Sequence, residues 1–183
     1  MKKSQVQLVI AVKEKLLEFP SIVNKLERKD LDFVIQFTLW IKKLEEILTT
    51  YNISDVSELS GIRSKIIAAR YSDNKNTTFK KLQLKVAAES LFDAQHIVLK
   101  VLAPFELKVE ECRELIRQLL LIVSQAQVIV YNKEVPFENL INDLWQFIIS
   151  NDQLKPGALK LRTSITMTDI QLIIAEELNL EDF

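Results

Sequence analysis

The stretch LIRQLLLIVSQAQVIVY, at Leu115–Tyr131, is the most apolar run in the chain. Its polar residues recur at steps of three and four, with a wide apolar stripe opposite them, as in an amphipathic helix. Arg117 lies within the run, and a charge inside a bilayer is costly, so a membrane span is disfavoured. The stretch predicts the central helix of a bundle, over Lys108–Tyr131. Its β-branched end, Val128–Tyr131, would also fit a strand.

The composition favours an all-α protein. The 183 residues include only two glycines and four prolines, few for a chain with many tight turns, and 48% apolar residues, ample for a core. The net charge of −1 gives no overall attraction to nucleic acid or anionic lipid. The single cysteine, Cys112, excludes an internal disulfide and favours a cytoplasmic location. We expect a bundle of about six to seven helices with no membrane association.

Apolar residues at helical spacing predict five further helices, over about 4–19, 30–51, 55–71, 77–102 and 136–150. Pro20 and the neighbourhood of Pro104 are expected to end the first and fourth of them. The second helix has a strong core stripe, formed by Phe33, Val34, Phe37, Trp40, Ile41, Leu44 and Leu48. Its charged residues, which are Lys42, Lys43, Glu45 and Glu46, are expected on the solvated face.

The C-terminal segment has a different pattern. Apolar residues alternate with polar ones over Leu159–Met167, which predicts a short strand. The other alternating run is Gln5–Ile10, so we expect the two ends to meet as a small sheet, within one chain or across a dimer. A last helix would pack over them and leave an acidic tail free. The predicted domains are a helical bundle at 1–150 and a C-terminal arm with a short helix at 151–183, packed on the bundle.

The residue inventory excludes several kinds of chemistry. The two glycines, Gly61 and Gly157, are too far apart in sequence for a phosphate-binding loop. One histidine, His96, and one cysteine cannot supply a zinc cluster. Adjacent glutamates such as Glu176 and Glu177 point about 100° apart on a helix, as expected for solvated faces rather than an acid–base pair. No catalytic, cofactor-binding or metal-binding residue is predicted, and an enzyme is disfavoured.

One segment, Asp55–Arg70, carries a positive signal. Asp55 followed by Glu58 resembles a capped helix start. The spacing of Ser57, Gly61, Ile62 and Ile67 resembles a helix-turn-helix of the LacI type. That resemblance implies a turn at Gly61 and a recognition helix that opens with Arg63, Ser64 and Lys65. An ordinary capped helix with a glycine bend and a basic loop is the alternative.

The same region is basic. The stretch Arg63–Lys85 holds seven basic residues and one acidic residue. The candidate nucleic-acid contacts are Arg63, Ser64, Lys65, Arg70, Lys80, Lys81 and Lys85. Three functions follow as hypotheses. The first is a non-enzymatic interaction or regulatory protein that acts through a helix face or a homodimer surface. The second is a nucleic-acid-binding regulator, and the third is an enzyme or small-molecule sensor with a pocket between helices.

Overall fold

The computed structural model describes residues 3–54, 56–71, 78–131 and 134–183, and within them the chain forms eight α-helices and no strand. The all-α prediction is therefore confirmed. The helices are α1 Gln5–Leu17, α2 Phe19–Glu27, α3 Phe33–Thr50, α4 Val56–Ala68, α5 Phe79–Ala126, α6 Phe137–Ser150, α7 Lys155–Ser164 and α8 Met167–Glu177. Two single-turn 3-10 helices lie at Ala69–Tyr71 and Leu180–Asp182.

The chain divides into two compact units. The α3 unit comprises Leu8–Pro104, and the α8 unit comprises Met1–Gln7 and Phe105–Phe183. Both boundaries fall inside helices, in α1 and in α5. The sequence placed a boundary at residue 150, where α6 ends. That division into a bundle and a C-terminal arm stays a prediction, because compactness alone does not establish which segments fold on their own.

The core of the α3 unit is built on the apolar core stripe that the sequence predicts for this helix. Its members are buried apart from the half-buried Val34. Trp40 lies at the centre of an aromatic cluster, with ring centroids 5.4 Å from Phe19 and 6.2 Å from Phe37. The Trp40 indole Nε1 donates a hydrogen bond of 2.7 Å to the carbonyl of Lys15. That carbonyl lies in the last turn of α1 and also accepts the backbone N–H of Glu18 at 3.2 Å.

The predicted break near Pro104 does not occur. The structure has one helix, α5, that runs from Phe79 to Ala126 with Pro104 inside it. Proline removes one helix hydrogen bond, here the one to the carbonyl of Lys100. Both residues are exposed, so water can reach that carbonyl, and buried residues on either side of the proline, such as Leu102 and Val109, hold the helix by packing.

The central helix also ends earlier than predicted. It stops at Ala126, and Gln127 takes a left-handed backbone with φ of 50°. The predicted last turn, Val128–Tyr131, is not helical, and the backbone N–H of Tyr131 donates to the carbonyl of Phe183 at 2.6 Å. β-branched side chains lose rotamer freedom in a helix, so these residues add little to its extension.

The predicted strand at Leu159–Met167 is wrong. Helix α7 covers most of the segment, and α8 begins at Met167. The buried residues are Leu154, Ala158, Leu161 and Ile165, which follow steps of four, three and four and therefore fit a helix. The alternating pattern included Leu159 and Met167, which are exposed, and passed over Ala158 because it is small.

The two ends of the chain do meet, but as helix starts rather than as a sheet. The carboxylate of Asp169, which is 1% exposed, accepts from Ser4 Oγ and from the backbone N–H groups of Gln5 and Val6 in the first turn of α1. It also accepts from the backbone N–H and Oγ1 of Thr166, which caps α8. One buried carboxylate therefore satisfies donors at two helix N-termini, where negative charge is favoured.

Among the described residues, no helix combines the length and the apolar character that crossing a membrane requires.

Candidate interaction surfaces

The outward face of α3 carries apolar side chains that the core does not use. Ile35 is 62% exposed and Leu39 is 42% exposed. They are four residues apart and therefore neighbours on one helix face. Asp32, the N-cap of α3, and Lys43 continue the same face at its two ends, since the steps from 32 to 35, 39 and 43 are three, four and four. We call these four residues the α3 stripe.

The two charged ends of the α3 stripe have no described ion pair. The side chain of Asp32 makes no capping hydrogen bond to α3, although an N-cap aspartate commonly does so. Lys43 is exposed, whereas its neighbour Lys42 lies 3.6 Å from Glu46. Along about 16 Å of helix, the stripe therefore presents one acidic residue, two apolar residues and one basic residue, in that order.

A groove between α2 and α3 runs beside the stripe. Its volume is about 220 Å³, and it opens to solvent. The α2 wall is formed by Glu18, Ser21, Ile22 and Lys25, and the α3 wall by Gln36, Leu39, Trp40 and Lys43. Leu39 and Lys43 therefore belong to both the stripe and the groove. Pockets for drug-sized ligands usually measure about 300–1,000 Å³, so this groove suits a side chain better than a cofactor.

Sequence reasoning missed this surface. It assigned α3 a core stripe and a charged face, and it gave Ile35 and Leu39 no role. Their position around the helix could have identified them. Ile35 and Leu39 are two large apolar residues four apart, and they lie outside a core stripe that is complete without them. It also placed Glu45 on the solvated face, whereas Glu45 is 7% exposed.

The buried Glu45 pairs with Arg63, one of the predicted nucleic-acid contacts. Arg63 Nε lies 3.0 Å from Glu45 Oε1 and 2.8 Å from Oε2, so this guanidinium joins α4 to α3. A buried carboxylate needs such a partner, because an unpaired buried charge is strongly destabilising. Arg63 therefore has a structural role that its sequence context did not reveal.

The predicted turn at Gly61 is wrong. Helix α4 runs without interruption from Val56 to Ala68, and Gly61 lies inside it on an exposed face. The expected cap, Asp55, lies outside the described residues. A single glycine costs a helix interior only about 1 kcal/mol, which the burial of Leu59 and Ile66 on the same helix offsets.

The other six candidate contacts are all exposed. Ser64 and Lys65 lie on α4, Arg70 lies on the following 3-10 turn, and the remaining three lysines, Lys80, Lys81 and Lys85, lie in the first two turns of α5. Lys85 Nζ lies 3.8 Å from Glu89. Another basic residue of the stretch, Lys75, lies outside the described residues.

The acidic end of α8 is not free, contrary to prediction. Arg113 donates to Glu176 at 2.7 Å and to Glu177, and Arg117 Nε donates to Glu177 Oε2 at 2.5 Å. The hydrogen bond from Arg117 lowers the pKa of the Glu177 carboxyl, an effect that partial burial opposes and Arg113 reinforces. Both arginines are thereby tied to α8, within the α8 unit.

In the described part of the chain, the side chains that commonly ligate metals are not grouped together, and the cysteine is buried. No group of three or more histidine, cysteine, aspartate or glutamate side chains there could hold a metal ion. Cys112 is buried, and burial raises the pKa of its thiol, which keeps it protonated and unreactive. His96 is exposed on α5, as predicted.

No protein-family model, curated protein or solved structure matches this chain. The function must therefore be argued from the surfaces described above.

Proposed function

We propose that this chain is a non-enzymatic interaction protein that works by pairing with a second copy of itself through the α3 stripe. The observation that carries the proposal is the order of charges along the stripe, with Asp32 at one end, Lys43 at the other and apolar residues between. A twofold axis on the outward face of α3, level with position 37 along the helix, would set two α3 helices antiparallel. Asp32 would then face Lys43 of the second copy, and Ile35 would face its Leu39.

This arrangement is self-complementary in charge, and it sets apolar residues against apolar residues. In a twofold dimer the same patch is used twice, so each favourable contact occurs twice. The acid and the base of the stripe are 11 residues apart, and the apolar pair is centred between them. The groove beside Leu39 gives the second copy's side chains a place to insert. Leu31, which is 94% exposed just before α3, adds further apolar area.

The expected strength of this pairing is modest. A contact of a few helical turns is smaller than the roughly 1,200 Å² of total buried area that marks stable interfaces. We therefore expect a monomer–dimer equilibrium in the micromolar to millimolar range, which protein concentration or a competing partner could shift. Such an equilibrium fits a regulatory role in the cytoplasm, the location that the single buried Cys112 favours.

Replacement of Ile35 by Glu tests the proposal. A charge at the centre of two copies of the interface should abolish the concentration-dependent increase in sedimentation coefficient that we expect of the native protein. The matched control is Leu121→Glu, which changes an α5 residue of similar exposure, 59%, in the α8 unit. The control should sediment as the native protein does. A native protein that stays monomeric up to millimolar concentration would end the proposal.

The pocket alternative, an enzyme or small-molecule sensor, has less support. The α2–α3 groove is small and open to solvent, and the charged groups Lys25 and Glu18 on its α2 wall are already paired, with Asp30 and Lys15. Of the three charged residues that line the groove, those pairs leave Lys43 as the one without a described ion pair.

A further inference from the structure

Basic residues are concentrated at one end of the hairpin formed by α4 and α5. Lys100 Nζ lies 3.9 Å from Glu58, which places the start of α4 beside the middle of α5. Tyr71 and Thr78 are separated by seven residue steps, which span at most about 25 Å. Only an antiparallel arrangement satisfies both conditions. The C-terminal end of α4 and the N-terminal end of α5 therefore lie at the same end of the hairpin.

The two described stretches that meet at this end of the hairpin, residues 59–71 and 78–88, carry no acidic side chain, and Asp73, between them, lies outside the described residues. Residues 59–71 and 78–88 contain six basic residues, which are Arg63, Lys65, Arg70, Lys80, Lys81 and Lys85. Two of the six are occupied, Arg63 by Glu45 and Lys85 by Glu89. The other four are exposed and have no described ion pair. A local excess of positive charge in a chain with a net charge of −1 marks a surface suited to an anion.

The position of Lys80 and Lys81 does not help the helix that holds them. Both lie in the first turn of α5, at the positive end of the helix dipole, and no acidic residue occupies that turn. Positive side chains there are unfavourable, because acidic groups are the ones that stabilise a helix N-terminus. The α4 end is different, since Arg70 follows a helix C-terminus, where a cation is favoured. The two lysines therefore add to the potential without stabilising the fold.

Two aromatic rings stand among these cations. Tyr71 is 75% exposed, and Phe79 is 52% exposed. They follow and precede the basic residues Arg70 and Lys80 directly in sequence. Exposed rings beside unpaired cations are the arrangement on which nucleic-acid bases stack while the cations contact the phosphates.

We infer that the end of the α4–α5 hairpin, with Lys65, Arg70, Tyr71, Phe79, Lys80 and Lys81, binds single-stranded nucleic acid. A single strand is favoured over a duplex for two reasons. Helix α4 has no turn at Gly61 to form a recognition unit, and Arg63, which would open the recognition helix, is held by Glu45. Unpaired bases, in contrast, present open faces to the two rings. This surface is separate from the α3 stripe, so either proposal can fail alone.

The test measures fluorescence anisotropy of a labelled oligouridine about twelve nucleotides long, a length within the range of single-strand binding sites. We expect binding at low salt that weakens as salt rises, with a log–log slope of about −2 if three phosphates are contacted. The Lys80→Gln/Lys81→Gln variant should weaken binding at least tenfold and bring the slope to about −0.7, since two contacts are lost. Tyr71→Ala should also weaken binding, about fivefold or more by loss of one stacked base, and leave the slope unchanged.

The matched control is Lys155→Gln/Lys160→Gln, which removes the same charge from exposed positions on α7. It should bind as the native protein does. Circular dichroism of each variant should match the native spectrum, which separates lost contacts from lost folding. An absence of binding at low salt, equal loss in the control, or tighter binding to the same sequence as a duplex would overturn the inference. Binding to phosphatidylserine vesicles without binding to the oligonucleotide would also overturn it, in favour of a membrane surface.

Discussion

Two aspartates at helix starts are used in opposite ways. Asp169, at the start of α8, is buried and accepts five hydrogen bonds from residues at the starts of α1 and α8. Asp32, at the start of α3, is exposed and makes no capping hydrogen bond from its side chain. The same side chain therefore closes the fold at one position and leaves a charge facing solvent at the other.

The same contrast appears between other charges of the two units. In the α8 unit, Arg113 and Arg117 on α5 both donate to Glu177 on α8, so these charges hold the two helices together. In the α3 unit, Lys43 and Lys80 are examples of exposed charges with no described partner. Charges that the fold already uses should affect stability when they are removed, whereas exposed charges without a described partner remain available to another molecule. The predictions below follow from that distinction.

The largest effect should come from removing the buried carboxylate. Asp169→Ala leaves up to five donors at two helix starts without their acceptor, and we expect a loss of about 3 kcal/mol or more in the free energy of unfolding. Urea denaturation followed by circular dichroism measures it. Asp32→Ala is the comparison at an exposed helix start and should cost less than about 0.5 kcal/mol at concentrations where the protein is monomeric. Equal losses of stability in Asp169→Ala and Asp32→Ala would contradict the contrast between the two aspartates.

Truncation of a leucine should destabilise the fold more in the core than in the α3 stripe. Leu119 is 5% exposed and lies against Gly157, where an added Cβ would be 3.1 Å from Leu119 Cδ2. Leu119→Ala should cost about 2–5 kcal/mol, as large-to-small core changes do. Leu39→Ala should cost under about 1 kcal/mol in the monomer, because Leu39 is already partly in water. A small loss in the free energy of unfolding for Leu119→Ala would show that the core of the α8 unit does not depend on α5.

A smaller effect should appear as a dependence of stability on pH. The lowered pKa of Glu177 means that its ion pairs stabilise the fold fully above the ordinary glutamate value of 4.5 and stop doing so as the pH falls through the lowered pKa. The native protein should therefore lose stability below about pH 5, and Glu177→Gln should lose less over the same interval.

The matched control for this pH effect is Glu46→Gln. Glu46 makes only an exposed pair with Lys42, and such pairs contribute little. Thermal unfolding at a series of pH values separates the two variants. A Glu177→Gln protein with the same acid sensitivity as the native protein would mean that other carboxylates govern the acid response.

The sequence predicted the helices well and their boundaries and surfaces less well. The α3 core stripe could be identified because seven large apolar residues at helical spacing leave few alternatives. Pro104 was expected to end a helix because local rules do not include the packing on both sides of it. The alternation at Leu159–Met167 misled because a small buried residue, Ala158, carries less weight in a pattern than an exposed leucine.

The candidate sites were harder to predict, because they depend on which charges find partners. Arg63 and Lys80 look alike in sequence, but only Arg63 meets a buried carboxylate, which comes from a different helix. Ile35 and Leu39 become informative only once the core stripe is known to be complete without them. Pairing between distant residues is a tertiary property, so only the folded structure separates used charges from unused ones.

The most direct test of the α3 stripe is a charge exchange measured by sedimentation equilibrium. Asp32→Lys and Lys43→Asp, made separately, should each weaken self-association about tenfold, because each places like charges opposite one another at both ends of the twofold interface. The double variant restores opposite charges at both ends and should associate nearly as strongly as the native protein. Additive losses in the double variant, or no change in the single variants, would contradict antiparallel pairing through α3.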